Sequence, residues 1–202
     1  MKLSHLTPLK IASVLALTIL IGLTTVSAQT VSWTEWNTAE KVQVVPNTRG
    51  SGRISGAKEG HGSLTHSAVL MDNSAAIEGK LLMPDGTSVS VFKSAALGPV
   101  HTVFFSQPVK NLEFEILSNG KHAESVFIFE QEFIISAQDP KCSLNSSLKH
   151  CLMQERNSLR SNQGSGRIRL SGEITQISWI AVSNDPNIRF NVGAPDLKSA
   201  SR

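Results

Sequence analysis

The chain has 202 residues, of which 40% are hydrophobic and 17% are charged, and its formal net charge is +3. This length fits one domain with a sizeable core and requires no second domain. The 19 Lys and Arg residues are nearly balanced by 16 Asp and Glu residues. Because phosphate binding needs clustered positive charge, this balance argues against a nucleic acid partner.

The first 28 residues have the composition of a secretory signal peptide. Lys2 and Lys10 precede an apolar stretch at 11–26, which ends at the small residues Ser27 and Ala28. Polar and small residues interrupt the stretch, so it is poorer than the roughly 20 apolar residues of a spanning helix, although an uncleaved anchor is the alternative. We expect cleavage after Ala28, a mature net charge of +1, a secreted or periplasmic location and no transmembrane anchor.

Apolar and polar residues alternate through much of the chain that follows. Val89 and Val91, for example, alternate with serines. A period of two places one face of a strand on a core and the other in water. Turn signals separate the alternating runs at 84–86, 98–99, 119–120, 139–140 and 184–186. Short strands at this spacing predict an all-β, antiparallel β-sandwich, jelly-roll-like, over residues 29–195, with a disordered tail at 196–202.

One segment departs from the alternation and predicts a short helical insert over 147–159. Its apolar positions follow helical spacing at Leu148, Cys151, Leu152 and Leu159.

The only two cysteines are Cys142 and Cys151, nine positions apart. An even count in an exported chain predicts one disulfide, which would stabilise the fold by roughly 2.5–3 kcal/mol in the chain-entropy model. A zinc site that recruits His150 would be one ligand short.

The pentapeptide Gly-Ser-Gly-Arg-Ile occurs twice, at 50–54 and at 164–168. Its glycines predict a turn or bulge before each strand begins. A phosphate cradle is the alternative, but neither copy is followed by a helix pattern or by the Lys-Ser/Thr of a P-loop.

Two carboxylate pairs have the spacing that a glycosidase could use. Glu113 with Glu115, and Glu130 with Glu132, lie two positions apart, and retaining glycosidases need carboxyl groups about 5–5.5 Å apart. Each pair is expected to face outward, opposite an apolar face, so we predict solvated carboxylates. We therefore assign no catalytic residue and no cofactor.

The histidines are scattered, and the metal assignment is left open. His61 and His66 have a spacing that suits no single helix or strand face. His101 enters an apolar strand and is predicted to be a satisfied edge histidine rather than a base.

Three tryptophans and no tyrosine are present. Trp179 follows Ile177 at two-residue spacing and is predicted to lie in the core. Trp33 and Trp36 either pack across the sandwich, which we favour, or line a cleft. They are the candidate ligand platform, because a sugar ring stacks on exposed indole.

The order of segments in the second half resembles a known family. The segments that carry the resemblance are Val103–Asn111, Phe129–Ser136, Gly164–Ile168, Leu170–Ile174, Ile177–Trp179 and Phe190–Gly193, together with the early Trp33-x-x-Trp36. They are similar to those of exported bacterial β-sandwich proteins of uncharacterised activity, many of which carry a PEP-CTERM sorting tail. The resemblance implies a secreted all-β domain of the envelope or extracellular matrix and transfers no catalytic residue. The segment 196–202 has no Pro-Glu-Pro, so we do not expect anchoring by that sorting route.

These observations favour an exported binding or structural module of the cell envelope or extracellular matrix, with carbohydrate or matrix as the candidate partner and no turnover. Two alternatives are a secreted carbohydrate-active enzyme that uses a strand carboxylate pair and a periplasmic ligand carrier. A carboxylate pair facing a groove would favour the enzyme, and a closed apolar pocket would favour the carrier.

Overall fold

The computed structural model describes residues 30–38, 40–46, 54–56, 64–71, 75–117, 124–139, 141–142, 148–183 and 188–196. Every regular element in this part of the chain is a β-strand, and the strands pair antiparallel into two sheets. The predicted all-β sandwich is therefore confirmed. The predicted signal peptide at 1–28, and all but the first residue of the predicted tail, lie outside the described residues. No helix in the described part has the length and apolar character that crossing a membrane requires.

Within the described residues the first sheet has eight strands, and all strands are numbered in chain order. Across the sheet they are β11 (Phe133–Gln138), β14 (Gly166–Leu170), β9 (Glu113–Leu117), β16 (Arg189–Pro195), β5 (Leu64–Leu70), β3 (Glu40–Pro46) and β4 (Ile54–Gly56), with β1 (Val31–Trp33) also paired to β16. One edge of β16 pairs with β9, and its other edge is shared by β5 and then β1.

The second sheet also has eight strands. Their order is β12 (Cys151–Glu155), β13 (Ser158–Asn162), β10 (Ser125–Phe129), β15 (Glu173–Ser183), β8 (Val100–Lys110), β7 (Ser88–Lys93), β6 (Ile77–Leu82) and β2 (Glu35–Trp36). The strict alternation of buried and exposed residues along β6 and β7 confirms the period read from the sequence.

The core lies between the two sheets and is built around aromatic rings. Phe114 and Phe190 of the first sheet stack with ring centroids 5.3 Å apart. Trp179 of the second sheet meets both edge-on, at 5.0 Å from each. Trp179 is 1% exposed, which confirms its predicted place in the core.

The predicted helical insert at 147–159 is wrong, because the described residues there form the β-hairpin of β12 and β13. Glu155 pairs with Ser158, which leaves a two-residue turn. Arg156 adopts the left-handed conformation that such tight turns use, with φ of 54°. Leu152 and Leu159 are both buried, but from neighbouring strands, so their helical spacing is a coincidence of the hairpin.

The predicted disulfide between Cys142 and Cys151 is confirmed. It joins the start of β12 to the segment that follows β11, and the two Cα atoms are 4.6 Å apart. Cys151 is 1% exposed, so this crosslink is buried at its β12 end.

The second glycine-rich repeat is explained by a close approach of neighbouring chains. Gly166 begins β14, and a Cβ atom there would lie 2.6 Å from the carbonyl oxygen of Ala137 and would collide with Leu152. Of the first repeat, only Ile54 is described, at the start of β4.

Candidate functional site

The carboxylates Glu113 and Glu115 are buried, each only 1% exposed. They lie on β9 opposite the core residues Phe114 and Ile116, as the alternation predicted. The prediction that they are solvated is nevertheless wrong. Long side chains from other strands of the first sheet cover them.

Glu113 is held by two donors from its own sheet. Arg169 of β14, its cross-strand neighbour, donates from Nε to a Glu113 oxygen at 2.6 Å. Ser136 of β11 donates its hydroxyl to the other oxygen at 2.6 Å. A buried carboxylate needs such partners, since isolated burial of a charge is very costly.

Glu115 is paired with His66 of β5, whose Nε2 lies 2.7 Å from a carboxylate oxygen. His66 stacks on Trp33 with ring centroids 5.2 Å apart, and the guanidinium of Arg167 lies 6.0 Å from the Trp33 ring. The other ring nitrogen of His66, Nδ1, is buried and has no hydrogen-bond partner within the described part of the chain. Trp33 therefore forms part of the cover over this hydrogen-bonded pair.

Trp36 belongs to the core and is 4% exposed. Its indole N–H donates to the side-chain oxygen of Asn191 at 3.0 Å. The Asn191 amide nitrogen in turn donates to the carbonyls of Thr34 and Ser67, where β16 changes partner from β5 to β1. The packing interpretation holds for Trp36, and the platform prediction stays a prediction for the half-buried Trp33.

The interior of the sandwich contains polar groups that sequence reasoning missed. His101 is 4% exposed and stacks on Trp179 at 5.4 Å. It lies on β8, which pairs with β15 and β7 on its two sides, and its buried Nδ1 has no hydrogen-bond partner among the described residues. The prediction of a satisfied edge histidine is therefore wrong. Burial, and then the charge of the nearby Lys93, lower the pKa of His101 to about 4. Lys93 itself is fully buried, and the strict alternation along β7 was the available signal that it faces inward.

A groove of about 530 Å³ opens between the turn that joins β10 to β11 and the turn that joins β12 to β13. Its lining residues are Glu130, Glu132, Phe133, Gln154, Arg156 and Asn157. The second carboxylate pair of the sequence analysis thus faces a groove, at a turn rather than within a strand.

The walls of this end groove are fixed by hydrogen bonds to backbone. Gln154 donates its amide to the carbonyl of Phe133 at 2.6 Å. The side-chain amide of Asn157 donates to the backbone carbonyl of Phe129 at 2.8 Å. The backbone carbonyl of Asn157 in turn accepts from the Phe129 N–H at 2.9 Å. Glu130, Glu132 and Arg156 remain exposed to solvent. The result is a polar groove whose aromatic lining residue, Phe133, is itself 4% exposed.

Within the described ranges, no group of three or more His, Cys, Asp or Glu residues is arranged to hold a metal ion. His61, one of the scattered histidines, lies outside those ranges.

No family model, curated protein or solved structure matches the chain.

Proposed function

We propose that this protein is an exported β-sandwich binding module of the cell envelope or extracellular matrix, and that its end groove holds a segment of carbohydrate. A jelly-roll arrangement of the sandwich belongs to the same proposal. The disulfide supports an extracytoplasmic place, because such bonds persist in oxidising compartments. The resemblance to exported β-sandwich proteins points the same way.

The observation that carries the proposal is the composition of the groove wall. Two exposed carboxylates, one guanidinium and two side-chain amides surround one aromatic residue. Carboxylates accept hydrogen bonds from hydroxyl groups, while the Arg156 guanidinium and the second amide N–H of Asn157 can donate to hydroxyl or ring oxygens. The amide nitrogen of Gln154 already donates to the carbonyls of Phe133 and Arg156, so Gln154 offers its side-chain oxygen as an acceptor. A neutral polyhydroxyl ligand satisfies such a mixed set, whereas a strongly charged ligand would meet like charge on one side.

The other carboxylate pair supports binding rather than turnover. Glu113 and Glu115 are engaged by Arg169, Ser136 and His66 and are closed to solvent. A glycosidase needs one acid free to protonate the leaving group and a second free to act as nucleophile or base. We therefore assign the buried pair to the stability of the first sheet.

Affinity electrophoresis of the folded protein through gels that contain soluble polysaccharides tests the proposal. We expect at least one polysaccharide to retard the wild type, and we expect the double substitution Glu130→Gln with Glu132→Gln to abolish the retardation. Glu173→Gln is the matched control, because it removes an exposed acid elsewhere. Unchanged retardation of the double variant would refute the groove assignment, and loss only in Trp33→Ala would move the site to Trp33.

A second candidate function is carbohydrate hydrolysis, and the presence of Glu130 and Glu132 in one groove is the observation that favours it. Release of reducing ends from a retained polysaccharide, lost in Glu130→Gln or Glu132→Gln alone, would establish the enzyme. Retention without release would support the binding module.

A further inference from the structure

The outward side of the second sheet carries a continuous apolar surface, here called the apolar face. Phe92 and Phe104 lie directly opposite each other on β7 and β8, 40% and 41% exposed. Val100, Ile180 and Ile128 form a row across β8, β15 and β10. The complete set is Phe92, Leu97, Val100, Phe104, Ile128, Ile180 and Val182.

The register places these side chains together rather than scattering them. Leu97, which is 85% exposed, forms a bridge with Val100 at the end of the row. Between the two phenylalanines and the row lie Thr102 and Ser178, whose hydroxyl groups are 3.2 Å apart, and Gln176 is the register partner of Phe104. These positions of β8 and β15 are uncharged, and the exposed Glu130, whose N–H donates to the Ser178 carbonyl, follows β10 at the margin of the face.

The size of the apolar face lies at or above the upper end of what a monomer usually leaves in water. A large side chain contributes about 150–250 Å² when fully exposed, so the exposed fractions of the seven residues amount to roughly 500–850 Å². The largest apolar patch of a typical monomer is about 300–600 Å². A standard protein interface buries about 800 Å² on each partner, which is an area of the same order.

The rim of the face suits a second copy of the same chain. On the β6 side, Glu78 lies opposite Phe92, with the exposed Lys80 two residues further along the strand. On the β13 side, Arg160 is paired with Glu124 at 3.1 Å. The exposed Glu35 of β2 lies opposite Lys80 and adds a second acid on the β6 side. Both rims thus carry charges of both signs, so neither orientation of a two-fold axis brings together rims of a single sign.

We propose that the apolar face is the interface of a homodimer, in which the second sheets of two copies pack face to face. Sheets packed in this way lie about 10 Å apart with strands rotated by about 30°, as in the interior of a sandwich. This inference does not depend on the end groove. A dimer would also present two grooves to one polymer and raise its apparent affinity through avidity.

Sedimentation velocity of the folded protein over a concentration series of about 1–100 μM tests the dimer, since this range brackets micromolar association. We expect the wild type to sediment as a dimer. Ile180→Lys places a charge in the centre of the face and should raise the dimer dissociation constant at least about tenfold. Ile134→Lys is the matched control, because it charges an isoleucine of the first sheet that is 55% exposed, and the dimer should persist.

Near-ultraviolet circular dichroism checks that each variant is folded, and Phe104→Ser provides a second disruption of the face without introducing a charge. A wild type that stays monomeric at the highest concentration would overturn the proposal. A dimer weakened by Ile134→Lys but not by Ile180→Lys or Phe104→Ser would place the interface elsewhere. A monomer that cosediments with phosphatidylcholine and phosphatidylglycerol vesicles, and loses this property in Ile180→Lys, would replace the second copy with a lipid surface.

Discussion

His101 should make the fold sensitive to acid well above the pH at which carboxylates titrate. The imidazole is buried against Trp179 in the core, and burial together with the Lys93 charge lowers its pKa from 6.5 to about 4. In the unfolded chain the same group titrates near its ordinary value. At pH values between these two pKa values, His101 therefore binds a proton in the unfolded chain but not in the folded protein. The free energy of unfolding consequently falls as the pH falls.

The pKa difference sets the size of this effect. Proton uptake by His101 in the unfolded chain lowers the free energy of unfolding by about 2 kcal/mol between pH 7 and pH 5. The total loss approaches about 3 kcal/mol below the folded pKa. A domain of this size has a free energy of unfolding of roughly 5–15 kcal/mol, so the loss is a large share of it.

Urea unfolding at a series of pH values and constant ionic strength measures the effect. His101→Phe preserves a ring against Trp179 and removes the titration, so its loss of stability between pH 7 and pH 5 should be smaller than that of the wild type by about 2 kcal/mol. His150→Asn is the matched control, because it removes an imidazole outside this contact at a left-handed position that asparagine tolerates. Parallel stability curves for wild type and His101→Phe would refute the reasoning.

Three other predictions follow from individual contacts. Arg169→Met leaves the buried carboxylate of Glu113 without its cation and should lower the free energy of unfolding in urea by about 2–3 kcal/mol, whereas Lys110→Met, from an exposed pair, should change it by less than about 1 kcal/mol. Equal losses would contradict the assigned role of the buried pair. Asn191→Leu removes the amide that bridges β5 and β1 and should cost about 2–4 kcal/mol by the same measurement, with a near-neutral result arguing against the bridge. Arg156→Gly should stabilise the protein by up to about 1 kcal/mol and so raise the thermal midpoint, because glycine adopts the positive φ of this turn without strain. A lowered midpoint would count against the hairpin.

The alternation of Val89 and Val91 with serines was enough to predict the strands, because the side-chain period of a strand is a local property. The same local logic placed Glu113 and Glu115 on the side of β9 that faces away from the core, which is correct. It could not reveal that this side is covered, since the cover comes from His66 and Arg169, which lie 49 and 56 positions away in the chain.

The hairpin at β12 and β13 shows a second limit of local patterns. Its turn is formed by Arg156 and Asn157, without the glycine that usually marks a two-residue turn. In addition, the spacing of Leu152 and Leu159 matches that of an amphipathic helix. The end groove depends on this hairpin, because three of its lining residues lie in the hairpin and three lie at the β10–β11 turn. A helix at this position would have removed the groove, so a site of this kind was not predictable from the sequence.

The pairing of β1 with β16 makes folding depend on the whole length of the chain. Val31 and Pro195 are register partners at opposite ends of the described sequence. A contact of such large sequence separation forms late and slowly, since the intervening chain must first be ordered. A polypeptide that emerges from its amino end can complete the first sheet only after β16 has followed. The topology thus keeps a nascent chain from closing the first sheet prematurely.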